Sequence, residues 1–577
     1  MSWLMGVAGN FPDGLKKQIN NVSENILVKQ EENNLIIIAG GIRQTCKFNI
    51  ETNEKDSFIS VGVGIEHSEN DVKFMNEERW QVIDNVEKAR KLEGHFVKVR
   101  WNKDEIKVYT DILGLRDIFY ATPQKDYIIF STRGDWLAKY LQAEINFKEF
   151  GSRWLLFNQL SSNSILNGVE RLSGGSSIRV NRNDMKVTIN KYDWLPNLES
   201  DSLSSTEYST KLEKLINIPF IQNQRVSLSF SGGMDSRLIL SYLAGRRNNW
   251  YTHTFGDYNH PDSVVANSIA KSLSIEHEQI NLDMPTQEVF LTEFKDYLLL
   301  TNVNNAVSGY LQLRNYKKLI CREEVIIDGG FGEIWRREFF NRLLLRGRKE
   351  LLEKNIGGII PYLIVHRADV FTGEIKNIFN TGCKEQLENI FINLPDANTI
   401  GMENWIDLFA IKTRLLNYYS SAQVHLDNWV FGYMPFIQKS LLENLFVLSV
   451  AERKNGKLFR YIIKRNNKML SKFPLAKGQF THPFFLNTIQ SHIWNIAYKK
   501  LRLKTYNDTT AENLLNALST YIQDTVSTKD VKECGCYDHS KLLRLSNNFA
   551  KGTASSFDLY ELDWWFAFEL FRQGIIK

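Results

Sequence analysis

The residues whose types and spacing point to chemistry lie in the stretch SFSGGMDSR, at positions 229–237. This stretch follows the apolar run RVSLSF and precedes a segment with helical spacing, which predicts a strand, a glycine turn and a helix. Such a turn leaves unpaired backbone N–H groups at the positive end of a helix dipole, where phosphate oxygens bind. Adjacent glycines let the backbone approach a ligand and take positive φ angles. We therefore predict a phosphate-binding loop built from Ser231, Gly232, Gly233, Asp235, Ser236 and Arg237.

The carboxylate in this loop suggests a metal ion. Asp235 would repel a bare phosphate, so its presence indicates a divalent cation between carboxylate and phosphate. The loop has no lysine, so it is not of the GxxxxGK[ST] type, and it lacks the spacing of GxGxxG. The alternative is a turn whose glycines serve its shape alone.

The elements that must position this loop change character along the chain. Residues 1–195 show short alternating runs broken by turns, with hairpins at 102–104 and 181–183, which predicts a β-rich domain. Residues 196–205, rich in Pro, Asn and Ser, are the predicted linker. From 206 to 577 strands alternate with helices and then give way to a long helical part, which predicts an α/β parallel sheet with its site beyond the carboxyl ends of the strands.

Bulk properties exclude several classes of function. The 577 residues carry a net charge of only +5, from 71 basic and 66 acidic residues, so we expect no nucleic-acid partner. No apolar stretch reaches membrane-spanning length and no secretory leader is recognisable, so we expect a cytoplasmic protein without a membrane partner. Five cysteines argue against a disulfide framework. Cys534, Cys536 and His539 form half a metal site at most, and a polar surface loop is the favoured interpretation.

The loop SFSGGMDSR resembles the pyrophosphate-binding loop of the ATP-pyrophosphatase superfamily, in particular the asparagine synthetase family with its β-lactam synthetase and lasso-peptide cyclase branches. Further stretches follow in the family's order: TFGDYNHPDSVVANSIAKSL, IIDGGFGEIW, YMPFIQKSLL and FPLAKGQFTHP. The resemblance implies an N-terminal Ntn-hydrolase-like β-sandwich of the glutamine amidotransferase type, followed by an adenine nucleotide α-hydrolase-like synthetase domain with a helical C-terminal part.

The resemblance also implies roles for individual residues. Such enzymes use ATP and Mg²⁺ to activate a carboxylate as an acyl-adenylate, release pyrophosphate, and let an amine form an amide. Glu333 overlays the family's second magnesium-binding aspartate, and Lys477 overlays a lysine that contacts phosphate. Asp235 and Glu333 would thus hold the metal, with Lys477 beside them as a catalytic cation. The remaining nucleotide-site residues are Phe255, Gly329 and Gly330.

Two positions depart from the family. LMGVAGNF matches the frame of the N-terminal MCGIAGIF, but Met5 replaces the cysteine nucleophile and four residues precede it, so we expect no glutamine hydrolysis. Gly330 stands where asparagine synthetases have a glutamate and β-lactam synthetases a tyrosine. Either another residue is the base in the second half-reaction, or the amine arrives deprotonated.

These observations favour an ATP-dependent carboxylate–amine ligase that does not use glutamine. Its substrate would be a small-molecule or peptide carboxylate, and a lasso-type cyclase would also meet a precursor peptide and its protease. An ammonia-dependent asparagine synthetase or a sugar-acid amidating enzyme is the alternative within this class. A nucleotide-binding scaffold without catalysis is the alternative from another class.

Overall fold

The computed structural model describes residues 2–22, 24–32, 34–51, 56–68, 71–124, 126–198, 203–281, 283–427, 429–501 and 506–576. The twenty strands of this part are β1 (Trp3–Gly9), β2 (Ile26–Glu32), β3 (Leu35–Gly40), β4 (Cys46–Asn49), β5 (Ser57–His67), β6 (Val72–Phe74), β7 (Glu93–Trp101), β8 (Glu105–Thr110), β9 (Phe119–Gln124), β10 (Tyr127–Ser131), β11 (Glu170–Arg171), β12 (Ser177–Asn181), β13 (Val187–Asn190), β14 (Val226–Ser229), β15 (Trp250–Phe255), β16 (His277–Ile280), β17 (Val325–Ile327), β18 (Phe431–Tyr433), β19 (Leu475–Lys477) and β20 (Phe480–His482).

The α-helices of the same residues are α1 (Asp13–Asn20), α2 (Glu77–Gln81), α3 (Val86–Lys91), α4 (Gly134–Leu141), α5 (Phe147–Leu155), α6 (Ser205–Ile221), α7 (Met234–Leu243), α8 (Pro261–Leu273), α9 (Gln287–Thr301), α10 (Gly309–Arg314), α11 (Asn341–Arg346), α12 (Arg348–Leu352), α13 (Ile356–Leu363), α14 (Gly373–Asn393), α15 (Ala397–Ile400), α16 (Met402–Ala410), α17 (Ser420–Leu426), α18 (Lys439–Val447), α19 (Val450–Arg453), α20 (Lys457–Asn466), α21 (Thr488–Lys500), α22 (Thr510–Ala517), α23 (Ser519–Ser527), α24 (Lys529–Lys532), α25 (His539–Ala550) and α26 (Ser556–Ile576). A π-helix over Ile411–Tyr419 joins α16 to α17.

Two antiparallel sheets form the N-terminal part. One has the order β11-β9-β10-β1-β3-β2, and the other has the order β13-β12-β8-β7-β5-β4 with β6 beside β5. Leu4 and Ile37 of the first sheet share a buried cluster with Val61 and Val97 of the second, so the two sheets face each other. This confirms the expected β-sandwich. The hairpin predicted at 102–104 joins β7 to β8, and the second hairpin turns at 182–186.

A five-stranded parallel sheet carries the glycine turns. Its order is β16-β15-β14-β17-β18. The chain moves outward from β14 to β16 and then returns to place β17 on the other side of β14, so β14 and β17 flank the point where the strand order reverses. In open parallel sheets such a switch point, at the carboxyl ends of the strands, is where ligands bind. The predicted parallel sheet is therefore present. Its switch point marks the carboxyl ends of β14 and β17 as the place where a ligand would bind.

The helical C-terminal part returns to the N-terminal sandwich. Along β1, Trp3, Met5 and Val7 face away from the other sheet and join a cluster with Trp565 and Phe568 of α26. The part of α26 from Glu561 to Phe571 is thus core, whereas Phe557 and Tyr560 near its start are exposed. Both faces of β1 are buried, which explains its nearly continuous apolar sequence.

The predicted linker at 196–205 lies partly outside the described residues, since 199–202 are not described. At its end Ser204 caps α6 through a reciprocal capping box with Glu207, so the helix begins sharply. None of the helices in the described part of the chain combines the length and apolarity needed to span a bilayer.

Candidate functional site

The first glycine turn connects β14 to α7 at the switch point of the parallel sheet. The Ser231 N–H donates to Oγ of Ser236 at 3.2 Å, and the Gly233 N–H donates to Oγ of Ser231 at 3.2 Å. Gly233 is the N-cap residue of α7, and no side chain caps the helix. The first turn of α7 therefore presents backbone N–H groups and a positive dipole end at the edge where a ligand would bind.

Gly232 is required by a close approach. A Cβ at this position would lie 2.6 Å from Cβ of Ala476 and 2.9 Å from Cβ of Val265. The positive φ angles expected for Gly232 and Gly233 are absent, because the φ of Gly233 is −72° and neither glycine is in the left-handed region. The Gly232 N–H is also not free for phosphate, since it donates to Oδ1 of Asp262 at 2.9 Å.

The second glycine turn follows β17 and lies directly against the first. A Cβ at Gly329 would lie 3.1 Å from the Ser236 nitrogen, and a Cβ at Gly332 would lie 2.4 Å from Cγ of Asp235. Glycine at both positions therefore lets two turns from distant parts of the sequence touch. The structure thus brings the two predicted glycine turns together.

The second turn is also strained. Phe331 is a buried residue with φ of 67°, and Arg337 and Phe340 have φ of 57° and 50°. Left-handed backbone at non-glycine residues costs about 1–3 kcal/mol each and persists only where the surroundings enforce it. Here Phe331 packs against Phe339 and Tyr419, at ring distances of 5.3 and 5.0 Å. The packing of these aromatic rings therefore holds the turn in its shape.

The charged groups of the two turns are paired with one another. Nε and Nη2 of Arg336 donate to Oδ1 and Oδ2 of Asp235, each at 2.8 Å. Nη1 of Arg336 donates to Glu338 at 2.5 Å, and the Tyr419 hydroxyl donates to Oε2 of Glu333 at 3.1 Å. Burial and the nearby Glu333 charge raise the pKa of Asp235, while Arg336 opposes that rise.

These contacts decide whether Asp235 and Glu333 fit a metal ion. Both oxygens of Asp235 accept hydrogen bonds from Arg336, so a guanidinium already supplies the counter-charge of this carboxylate. Among the described residues no cluster of three or more His, Cys, Asp or Glu side chains could hold a metal. The structure therefore pairs Asp235 with a guanidinium where the sequence predicts a divalent ion, and an ion between Asp235 and Glu333 stays a prediction.

Lys477 reaches the site from far along the sequence. The hairpin β19–β20 docks on the first glycine turn, where the Ala476 N–H donates to the Gly232 carbonyl at 3.0 Å. The next residue, Lys477, has a side chain 48% exposed, with Nζ 3.9 Å from Oε2 of Glu338. Asp235, Arg336, Glu338 and Lys477 thus form a chain of alternating charge along the edge of the two turns.

Arg237 does not face a ligand. Its guanidinium is fully buried and donates to four backbone carbonyls, those of Gly232, Leu470, Phe473 and Pro474. Burial lowers the pKa of Arg237 to about 9. The arginine therefore ties the first glycine turn to the segment before β19, which corrects the expectation that it contacts phosphate. Arg337, which follows the second glycine turn, is also buried, and it donates to the Glu403 carbonyl at 3.1 Å.

Phe255, predicted for the nucleotide site, ends β15 at the same edge of the sheet. Its ring packs edge-on against Tyr316 at 4.4 Å and against His253 at 4.8 Å, and its side chain is half-buried. At the end of β15, the ring of Phe255 lies at the edge of the sheet that carries the two glycine turns. The contact between Phe255 and a nucleotide stays a prediction.

Gly330 lies in a filled environment. A Cβ there would lie 2.9 Å from Sδ of Met434 and 3.1 Å from Oδ1 of Asp328. A glutamate or tyrosine, as in the resembling enzymes, would have to displace Met434. The space for a base at this position is therefore occupied by a thioether and a carboxylate.

Sequence reasoning missed several polar groups of this site. Asp328 follows β17 directly and accepts the Gly330 N–H at 2.7 Å, and burial raises its pKa. An acid placed right after the third buried strand was a signal that could have been used. Glu338 and Tyr419 carried no such signal, because their sequence neighbours do not predict which turn they contact.

The start of β1 is unlike a nucleophile site. Met5 is fully buried in the centre of the sheet, opposite Ile38 of β3 and Ser131 of β10. Cys534 and Cys536 lie with their sulfurs 2.7 Å apart, but the ring of His539 contacts the Val526 carbonyl at 3.4 Å rather than completing a metal site with them.

No protein-family model and no curated protein matches the chain. Among solved structures, the chain is similar to the NMN synthetase from Francisella tularensis, with 16% identity and a TM-score of 0.19. The match covers 40% of this chain and 97% of the synthetase chain. The glutamine phosphoribosylpyrophosphate amidotransferase from B. subtilis complexed with ADP and GMP is 10% identical, with a TM-score of 0.20, over 58% and 77% of the two chains. These likenesses are too distant to carry an argument. Neither of these two is an asparagine synthetase.

Proposed function

We propose that this chain is an ATP-dependent carboxylate–amine ligase that works through an acyl-adenylate and releases AMP and pyrophosphate. One observation carries the proposal. The two glycine turns touch at the carboxyl ends of β14 and β17, and the hairpin bearing Lys477 is docked on the first of them. This places the helix N-terminus, carboxylates and cations of three separate segments at one edge of a parallel sheet.

The chemistry needs positive charge at the leaving group. A carboxylate oxygen of the substrate attacks the α-phosphorus of ATP, and the bond to the bridging oxygen of pyrophosphate breaks. Negative charge then grows on pyrophosphate, where backbone N–H groups at the start of α7 and the Lys477 ammonium would stabilise it. ATP would bring its magnesium on its own phosphates. The amine then attacks the acyl carbon, and AMP leaves.

The amine would come from the substrate or from solution rather than from glutamine. Met5 is fully buried and its thioether cannot form a thiolate, so the N-terminal sandwich has no equivalent of a cysteine glutaminase centre at that position. Met434 and Asp328 fill the space next to Gly330 where a base would stand. These two features favour an amine already held by the acyl donor, as in lactam or macrolactam formation by a lasso-type cyclase.

Other members of the same class remain to be distinguished by substrate. An ammonia-dependent asparagine synthetase or a sugar-acid amidating enzyme would use the same first half-reaction. A cyclase would also require a precursor peptide and the protease that removes its leader.

Exchange of labelled pyrophosphate into ATP tests the proposal. We expect exchange that depends on a carboxylate, over a panel of amino acids, sugar acids and leader-containing peptides. Product mass then separates the ligase reactions, because cyclisation removes water from one molecule and ammonia use adds an amide nitrogen. Nucleotide binding without exchange under any acid would instead identify a non-catalytic scaffold, the alternative that Gly330 favours because it supplies no base.

A further inference from the structure

The guanidinium of Arg336 lies where the two glycine turns meet. It binds both oxygens of Asp235 and one oxygen of Glu338, and the side chains of Arg336 and Asp235 are only 13% and 17% exposed. A planar guanidinium that contacts both oxygens of a carboxylate is among the strongest charge-assisted hydrogen-bond arrangements. The pair is therefore a built part of the site and not a surface contact.

We infer that Arg336 is the resident cation of this site and binds the diphosphate end of the nucleotide itself, in place of a divalent ion coordinated by Asp235. The inference rests on the proposed function. A guanidinium has five N–H donors, and the contacts to Asp235 and Glu338 use three of them. The two that remain are available to phosphate oxygens. Asp235 then serves as a positioning residue that orients the arginine.

The surroundings of Arg336 disfavour its withdrawal. Its Cδ lies beside Gly456, and the neighbouring cation Arg460 is already bound to the carbonyls of Phe484, Leu486 and Asn455, so the carboxylate of Asp235 has Arg336 as its counter-charge. Withdrawal would leave the carboxylate of Asp235 mostly buried without a counter-charge, which is strongly unfavourable. A metal ion would have to compensate for that loss before it could gain Asp235 as a ligand.

The alternative is displacement, in which the incoming nucleotide and its metal push Arg336 away from Asp235. The two arrangements differ in what holds the phosphate groups. With a resident arginine, pyrophosphate binds without a divalent ion. With displacement, binding requires the ion and the Asp235 carboxylate.

Titration calorimetry with inorganic pyrophosphate, in Mg²⁺ and in EDTA, separates these arrangements. We expect the wild-type affinity in EDTA to stay within about tenfold of that in Mg²⁺, and Arg336→Met to weaken binding in EDTA by about 10- to 100-fold, the effect of losing charge-assisted hydrogen bonds. Arg336→Lys keeps the positive charge but cannot contact two carboxylate oxygens in the same way. Its affinity for pyrophosphate should therefore lie between those of the wild type and Arg336→Met. The exposed Arg342→Met on α11 is the matched control and should bind as wild type does.

The electron paramagnetic resonance spectrum of Mn²⁺ in the pyrophosphate complex provides the second measurement. We expect Asp235→Asn to leave the spectrum unchanged, because Asp235 does not touch the ion. Binding that vanishes in EDTA, together with a spectrum altered by Asp235→Asn, would overturn the inference and leave the proposed function intact. Absence of pyrophosphate binding under both conditions would overturn the proposed function and this inference with it. Thermal melts of each variant verify that it is folded.

Discussion

The pair of glycine turns and the start of β1 resemble motifs of the same family, yet the structure gives them opposite environments. At the turns, Ser231, Asp235 and Glu333 are partly buried, and the side chain of Lys477 is 48% exposed. At the start of β1, Met5 is fully buried between neighbouring strands and helix α26.

This difference distinguishes the glycine turns, a candidate ligand-binding region, from the start of β1, which contributes to packing. The turns carry strained backbone at Phe331 and an ion pair at Asp235, features that cost stability and are typical of ligand-binding regions. The start of β1 carries only apolar contacts, which stabilise the fold. Two stretches with the same kind of sequence resemblance can thus have a polar, partly exposed environment in one place and core packing in the other.

The largest effect is expected from Gly232→Val. The new Cβ would lie 2.6 Å from Ala476 and 2.9 Å from Val265, so the hairpin bearing Lys477 must move away from the first turn. We expect pyrophosphate binding and exchange activity to be lost. Gly245→Ala, after the other end of α7, has open space around it and is the control. Full activity in Gly232→Val would show that the docked hairpin is not part of the site.

Lys477→Met should reduce exchange activity by about 100- to 1000-fold, the effect of removing one group that stabilises developing charge. The measurement is pyrophosphate exchange with the carboxylate that the substrate panel identifies. Lys472→Met, an exposed lysine of the preceding segment, is the control and should keep wild-type activity. Equal activity in the two variants would remove Lys477 from the chemistry and place the site elsewhere along the turns.

Met5→Ala tests the other side of the comparison. Truncating a fully buried methionine should destabilise the fold by about 2–5 kcal/mol, seen as a lower urea midpoint, because a cavity forms between β1 and its neighbours. Exchange activity per folded molecule should not change. Neither the wild type nor Met5→Cys should release ammonia from glutamine. Glutamine hydrolysis by either protein would contradict the view that this region is packing alone.

The smallest effect is expected from Cys534→Ser. Since His539 does not complete a metal site with the two cysteines, a chelator and this substitution should each shift stability by less than about 0.5 kcal/mol. The measurement is the thermal midpoint with and without chelator. A large loss on chelation would reveal a structural metal that the fold of this loop does not suggest.

Much of the fold was predictable because it depends on local patterns. The alternating runs of the N-terminal part became two facing antiparallel sheets, and the predicted strand RVSLSF became β14 with shorter bounds. Helix α6 was missed, since its sequence follows the predicted linker and its hydrophobic pattern is weak. The π-helix at Ile411–Tyr419 was also beyond the sequence, because its extra residue per turn leaves no compositional mark.

The site was predictable in its parts but not in its pairings. Motif order placed Ser231, Asp235, Glu333 and Lys477 in one region, and the structure brings their segments together. The partner of each charge was not predictable. Arg237, next to the loop, is directed into four carbonyls, whereas Arg336, about a hundred positions away, binds Asp235.

By itself the sequence determined the order of the β-rich part, the glycine turns and the alternating strands and helices, because backbone preferences and apolar periodicity act between near neighbours. It also determined that Met5 cannot replace a cysteine thiolate, since a thioether has no proton to lose. Only the tertiary structure decided that a guanidinium holds Asp235, that Met434 fills the space beside Gly330, and that α26 covers β1. These outcomes depend on contacts between residues far apart in the chain, and their energies depend on burial and geometry that no local pattern specifies.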